Sequence, residues 1–174
     1  MVTKKTIVIE ERLTEMFKYL PSMESAKAVA FKPVFMYGNE LQLLDFLRQN
    51  GTGKSVYPLI WLLMPFEETH KRSSVDFSDL TLILAVETNK VMLNDQRLKE
   101  TYKKVLMPLC DNIIHCFKTA NISSITNKYT ITKYPNYSKS SEANKATYIW
   151  DALRISFSGY LNSNCLKPIY FTNK

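Results

Sequence analysis

The run with the strongest claim to chemistry is Gly51-Thr-Gly-Lys-Ser55. Gly-Lys-Ser closes a phosphate-binding loop, where backbone amides cradle phosphates while the Lys and Ser meet phosphate and magnesium. The full motif needs a glycine five residues before Gly53, and Arg48 stands there. It must also follow a strand and open a helix, whereas a helical pattern precedes it here and a strand pattern begins at Val56. A helix-to-strand turn accounts for the run. Cys110, His115 and Cys116 raise the question of a metal site. On a helix, positions 110 and 116 lie roughly 240° apart and do not face one centre. A nucleophilic enzyme needs a histidine base beside Ser or Cys, and only His70 and His115 are available. His70 sits in Glu67-Glu-Thr-His-Lys-Arg72, which reads as solvated charge, and the carboxylates of Glu67 and Glu68 would diverge on an extended chain. No catalytic residue, cofactor site or metal ligand is nominated, and the chain reads as a non-enzyme.

The remaining chemistry is basic and aromatic. The 174 residues carry a net charge of +7, but no short window holds five or more cations, as a dedicated nucleic-acid arm would. The first half is nearly neutral and the excess lies in the second, much of it in Lys128, Lys133, Lys139 and Lys145. With Lys71 and Arg72 these are the candidate contacts to a DNA channel or a partner. Tyr37, Tyr57, Trp61, Tyr129, Tyr134, Tyr137, Tyr148, Trp150 and Phe157 fall largely on strand patterns. Interleaved with Lys they could stack single-stranded bases; on strands they more often pack a core or a subunit interface. Trp61 is expected in the core.

The elements that must position these groups follow from periodicity. Leu13, Met16, Phe17 and Leu20 predict a helix from Glu10 that stops at Pro21. Residues 28–37 read as a strand that Pro33 makes either an edge strand or one interrupted by a bulge. Asn39 and Gln42 predict a capping box for a helix whose apolar positions are Leu41, Leu44 and Leu47, ending at Asn50-Gly51. Residues 56–64 and 80–86 predict two buried strands, with 65–79 between them as a polar loop. Asn94 opens a long helix with a stripe from Leu98 to Phe117, and Pro108 should kink it. Residues 120–147 are polar with a strand-like stretch at 129–134, residues 148–161 alternate as a strand, and 167–172 read as a short last one. The order α-β-α-β-β-α-β-β predicts an α+β fold, a mainly antiparallel sheet with helices packed on it. The length suits one domain over 1–174, its core at about 10–166, with 65–79 and 120–147 as contact loops.

Composition narrows the class further. Apolar residues make up 45%, too many for a disordered chain. No apolar run approaches the roughly 18–20 residues of a membrane span. The N-terminus lacks an apolar signal core, and three cysteines without a CxxC pair suit a reducing cytoplasm.

Several strings together resemble a family. They are Tyr57-Pro-Leu-Ile-Trp-Leu, Leu80-Thr-Leu-Ile-Leu-Ala-Val and Asn94-Asp-Gln-Arg with Tyr102-Lys-Lys-Val-Leu-Met-Pro-Leu, then Tyr134-Pro-Asn-Tyr and Trp150-Asp-Ala-Leu-Arg-Ile-Ser-Phe with Leu161-Asn-Ser-Asn-Cys. Over roughly residues 10–166 the layout is similar to the head–tail connector and tail-terminator (tail-completion) proteins of tailed bacteriophages. It also resembles neck and tail-barrel ring proteins of phages of Bacteroides-like hosts. The resemblance implies a sheet flanked by helices, no catalytic residues, and a homomeric ring, 6- or 12-fold, around the DNA channel. It implies portal, connector or tail ring proteins as neighbours, a place in the virion, and assembly in the host cytoplasm. The alternative is a nucleic-acid-binding accessory protein that uses the Lys/Tyr-rich segment 128–145.

Overall fold

A computed structural model of the chain describes residues 6–24, 30–50, 56–88, 91–137 and 149–171. The elements begin with α1 (Ile9–Phe17), β1 (Met23–Glu24), β2 (Ala30–Phe31), β3 (Val34–Gly38) and α2 (Glu40–Asn50). Then come β4 (Leu59–Leu63), β5 (Glu67–His70) and β6 (Ser74–Thr88). A continuous helical run follows, made of α3 (Asn94–Arg97), a π-helical segment (Leu98–Leu106) and α4 (Met107–Thr119), and β7 (Ser123–Tyr134) and β8 (Ile149–Asn162) complete the set. The fold is α+β, as the pattern of the sequence predicts.

The sheet order is β3-β4-β6-β8-β7, with β5 paired to β6 beyond the end of β4. Leu80 to Ala85 are buried without a break, so β6 is apolar on both faces and must lie inside the sheet. On one face Ile60, Leu62, Leu82, Leu84, Leu153, Ile155 and Phe157 meet α1, the π-helical segment and α4. On the other, Leu59, Trp61, Ile83, Ala85, Trp150 and Ala152 meet Leu43 and Leu47 of α2. Trp61 is in this core, its indole N–H donating to the Gly38 carbonyl at 3.0 Å. The core reaches past the expected 10–166 bounds, taking in Ile7, Ile9 and Ile169.

Several expectations need correction. Residues 65–79 are not a loop: β5 and the start of β6 form a hairpin there, and Val75 and Phe77 are buried. Glu67-Glu-Thr-His70 is polar on both faces, so its strand is set by hydrogen bonds to β6 and not by any apolar alternation. Residues 120–147 are likewise not a loop over their described part: β7 fills 123–134, so the strand expected at 129–134 is present and begins six residues earlier. The expected mainly antiparallel sheet is present, with β3 and β4 its one parallel pairing among the described residues. In α2 the buried leucines are Leu43, Leu44 and Leu47, whereas Leu41 is 61% exposed. The capping box itself is present, Asn39 N to Gln42 Oε1 and Gln42 N to Asn39 Oδ1, both 2.9 Å.

Pro33 breaks the 28–37 strand into β2 and β3, and β3 is an edge strand. Helix α1 ends at Phe17, three residues short of the expected stop, because the residue before Pro21 is pushed out of the helical region; Leu20 stays buried. The long helix absorbs Pro108 by a change of register: Met107 N–H donates to the Tyr102 carbonyl five residues back. The proline ring, which would collide with a carbonyl four residues before it, thus enters from a widened turn. Residues 165–171 carry no regular secondary structure, so the predicted last strand is not formed over its described part. The turn expected at Gly51-Thr-Gly-Lys-Ser55 lies outside the described residues.

Candidate functional site

Pairing in this sheet runs straight across five strands. Val34, Leu59, Ala85, Ala152 and Tyr134 form one complete row, and the next four residues of β3 each head a row of the same kind. The last row is Gly38, Leu63, Thr81, Ser156 and Thr130. Among the described residues β3 and β7 each have a strand on one side only. With the outer side of the short, polar β5, these edges are the backbone donors and acceptors that the main sheet leaves over among the described residues. β7 is twelve residues long, contains no proline, and is interrupted by one register shift between Ile125 and Tyr129.

Gly159 makes that shift possible. A β-carbon there would run into the Ser124 carbonyl oxygen and lie 3.0 Å from the Ile125 Cα, so β7 approaches β8 as closely as it does only against a glycine. On the facing strand, Asp79 adopts a left-handed backbone (φ 50°) at the second register shift, and its N–H donates to Ser158 Oγ at 3.1 Å.

The candidate cations separate into two places. Lys71 and Arg72 lie at the β5–β6 turn, where Lys71 pairs with Asp76 and its N–H donates to the Ser74 carbonyl at 2.8 Å. Lys128 and Lys133 lie on β7, at the opposite side of the sheet and three strand spacings, about 14 Å, from the column of β5. Lys133 Nζ sits 5.5 Å from the centre of the Tyr102 ring, a cation–π contact within the chain. Lys139 and Lys145 lie outside the described residues. Among the described residues, the four candidates are therefore not gathered into one basic face.

The aromatics are mostly spent on packing. Trp61, Trp150 and Phe157 are buried, and Tyr57, Tyr134 and Tyr137 pack half-buried against the α2 side of the sheet. Burial pushes the Tyr57 hydroxyl's pKa well up, against a hydrogen bond from the Trp150 indole. Burial also lifts Tyr137, to about 12, with the Glu40 charge adding to it. Tyr37 and Tyr129 are exposed, on opposite edges of the sheet; Tyr148 lies outside the described residues.

Sequence reasoning missed the most polar point of the interior. Arg97, 4% exposed, forms an ion pair with fully buried Asp151. Asn136 N donates to the same carboxylate oxygen at 3.1 Å, and Arg97 Nη2 reaches the Met92 carbonyl at 3.3 Å. The pair ties the start of the helical run to the start of β8 and to the turn after β7. Asp151 Oδ2 has no hydrogen-bond partner among the described residues. The signal for this pair was an aspartate inside the apolar string Ile149-Trp-Asp-Ala-Leu153, a position where an acid needs a partner.

His70 hydrogen-bonds Glu68 at 2.9 Å on an exposed strand. His115 Nε2 meets the Tyr170 carbonyl at 3.0 Å, with its ring against Phe171, and so anchors the C-terminal segment to α4. Cys110 and Cys116 are buried, and burial raises each thiol to about 12. Among the described residues no cluster of His, Cys, Asp or Glu could hold a metal ion, and no helix is long and apolar enough to cross a membrane. An open cleft of about 310 Å³ lies beside α1, lined by Glu15, Lys18, Tyr19 and Leu166. No protein-family model matches the chain, and no curated protein matches it either.

Proposed function

We propose that the chain is a structural virion protein, a connector- or tail-terminator-like subunit that forms a homomeric ring around the DNA channel at the neck or tail of a phage. The observation that carries this reading is the pair of unpaired edges, β3 and β7, at opposite ends of one sheet. A ring subunit makes heterologous contacts and therefore needs two different surfaces that fit each other. β7, twelve residues long and without proline, carries a row of outward backbone groups with which another chain can pair. The resemblance of several strings to the connector family, noted from the sequence, supports the same reading; they fall on β4, β6, the helical run, the turn after β7, and β8. In that setting Lys71, Arg72, Lys128 and Lys133 are dispersed cations suited to DNA passing nearby without a tight grip. Portal, connector or tail ring proteins are the proposed neighbours.

Electron microscopy of the purified chain, alone and mixed with candidate neck or tail-tube partners, tests this reading. Annular particles of one size are expected, and only monomeric protein under every condition would refute it. The second reading, a nucleic-acid-binding accessory protein using 128–145, draws on the exposed neighbours Lys128 and Tyr129. Titration of labelled oligonucleotides at two salt concentrations decides it. Binding that weakens steeply with salt and with Lys128→Ala favours it; no binding at low salt removes it.

A further inference from the structure

We propose that subunits join by their sheet edges, the outer edge of β7 pairing antiparallel with the outer edge of β3 of a second copy, so that Ile131 lies opposite Tyr37 of the partner subunit. This inference rests on the homomeric reading above and adds the contact to it.

Strand direction supplies the first argument. β3 runs parallel to β4, and each further step across the sheet to β7 is antiparallel, so β3 and β7 run in opposite directions. Rotation about an axis along the strands preserves direction. Repeating the subunit around such an axis therefore sets β7 beside β3 of the next copy as an antiparallel pair, the more stable of the two ladders.

Register supplies the second. The five residues of β3 stand at the same level as residues 130–134 of β7, joined by unbroken rows across the sheet. Extending the rows by one strand puts Ile131 beside Tyr37, Thr132 beside Met36 and Lys133 beside Phe35 of the partner subunit. Residues of one row share a face, so no side chain has to change sides to make these pairs. Tyr37 is 55% exposed and Ile131 half-buried, an aromatic beside a β-branched residue, which is a favoured cross-strand combination. β3 carries no charge, so Lys133 meets an apolar neighbour and not another cation.

The rival is β7 pairing with β7 about a two-fold axis. Centred on Ile131, the string Lys-Tyr-Thr-Ile-Thr-Lys-Tyr would set each Lys of 128–134 opposite a Tyr. That arrangement leaves β3 unused and produces closed pairs, whereas β7 on β3 uses both edges in a single repeated contact.

Disulfide cross-linking of the full chain separates the two. In a Cys165→Ser background, which removes the exposed thiol, Tyr37→Cys and Ile131→Cys are made singly and together, with Met36→Cys and Thr132→Cys as a second pair. Two pairs are needed because only one of two neighbouring cross-strand positions has good disulfide geometry. After mild oxidation at least one double variant should give a ladder of dimers and higher multimers on a non-reducing gel. Each single variant should stay monomeric on the gel, mixed singles should give dimers only, and Tyr37→Cys with Lys128→Cys, out of register, should give none. Cross-linking of Ile131→Cys alone would establish the two-fold rival and overturn the proposal. Failure of both double variants, with light scattering still showing the parent assembly, would overturn it while leaving the ring in place. A parent chain that is monomeric throughout would overturn the ring and this contact together. Circular dichroism of each variant confirms that it folds.

Discussion

Replacing Asp151 with Ala removes a fully buried carboxylate from Arg97, which is itself 4% exposed. Removing one partner of a buried pair costs about 3–5 kcal/mol, because the remaining charge stays out of water. Asn136 N also loses an acceptor at 3.1 Å. One effect runs the other way. Asp151 Oδ2 has no partner among the described residues, so the native carboxylate already carries part of its desolvation cost, about 1–3 kcal/mol, which alanine relieves. The expected loss is therefore at the lower end, about 3 kcal/mol. Arg97→Met alone should cost a similar amount, and the double variant Arg97→Met/Asp151→Leu should lie within about 1 kcal/mol of the native protein, since an apolar pair of similar volume avoids both desolvation costs. Urea unfolding followed by far-UV circular dichroism on the native protein, Arg97→Met, Asp151→Leu (whose cost should match that of Asp151→Ala) and the double variant gives the cycle, read from midpoints at a shared slope. Singles that cost under about 1 kcal/mol, or a double that costs the sum of the singles, would refute the claim that this pair locks the helical run to β8.

Four further outcomes follow from the packing. At pH 8 a thiol reagent should modify Cys165 rapidly, while buried Cys110 and Cys116, raised to about 12, should react only on unfolding; a second fast thiol would contradict their burial. Because those thiols hold their protons in the folded state beyond the usual value of 9.0, the unfolded chain binds fewer protons above that pH, so stability should fall from about pH 9 towards 12 and stay level below 9 as far as these groups are concerned. Gly159→Ala should cost about 1–3 kcal/mol by forcing β7 away from β8 at Ser124, and an unchanged urea midpoint would show that the close approach is not needed. Deleting residues 67–75 should destabilise the isolated chain, because it removes β5 and buried Val75; a truncated protein of native stability would return this stretch to the status of a simple contact loop.

Much of the fold was legible because apolar periodicity reports which face of an element is buried. The α1 stripe, the doubly apolar β6, the alternating β8 and the Asn39–Gln42 box all follow from local spacing. Periodicity says nothing of which strand lies beside which, so the parallel β3–β4 pairing was not readable. Strand β5 was hidden because its side chains are all polar and its structure comes from hydrogen bonds to β6. Leu41 was misplaced because a stripe of Leu43, Leu44 and Leu47 fits the same leucine-rich string equally well. The Arg97–Asp151 pair joins residues 54 apart, a separation at which sequence gives a hint of need but no partner. Of the candidate contacts, Lys71, Arg72, Lys128 and Lys133 could be placed, and their division between two sides of the sheet depends on strand order, which composition does not encode.

Light scattering coupled to size exclusion, run on the purified chain over a range of concentrations and again with candidate neck or tail partners, measures the proposed assembly directly. A ring subunit gives a single species at a fixed multiple, 6 or 12, of the 20.2 kDa chain mass. A mass that stays at 20.2 kDa under every condition would contradict it.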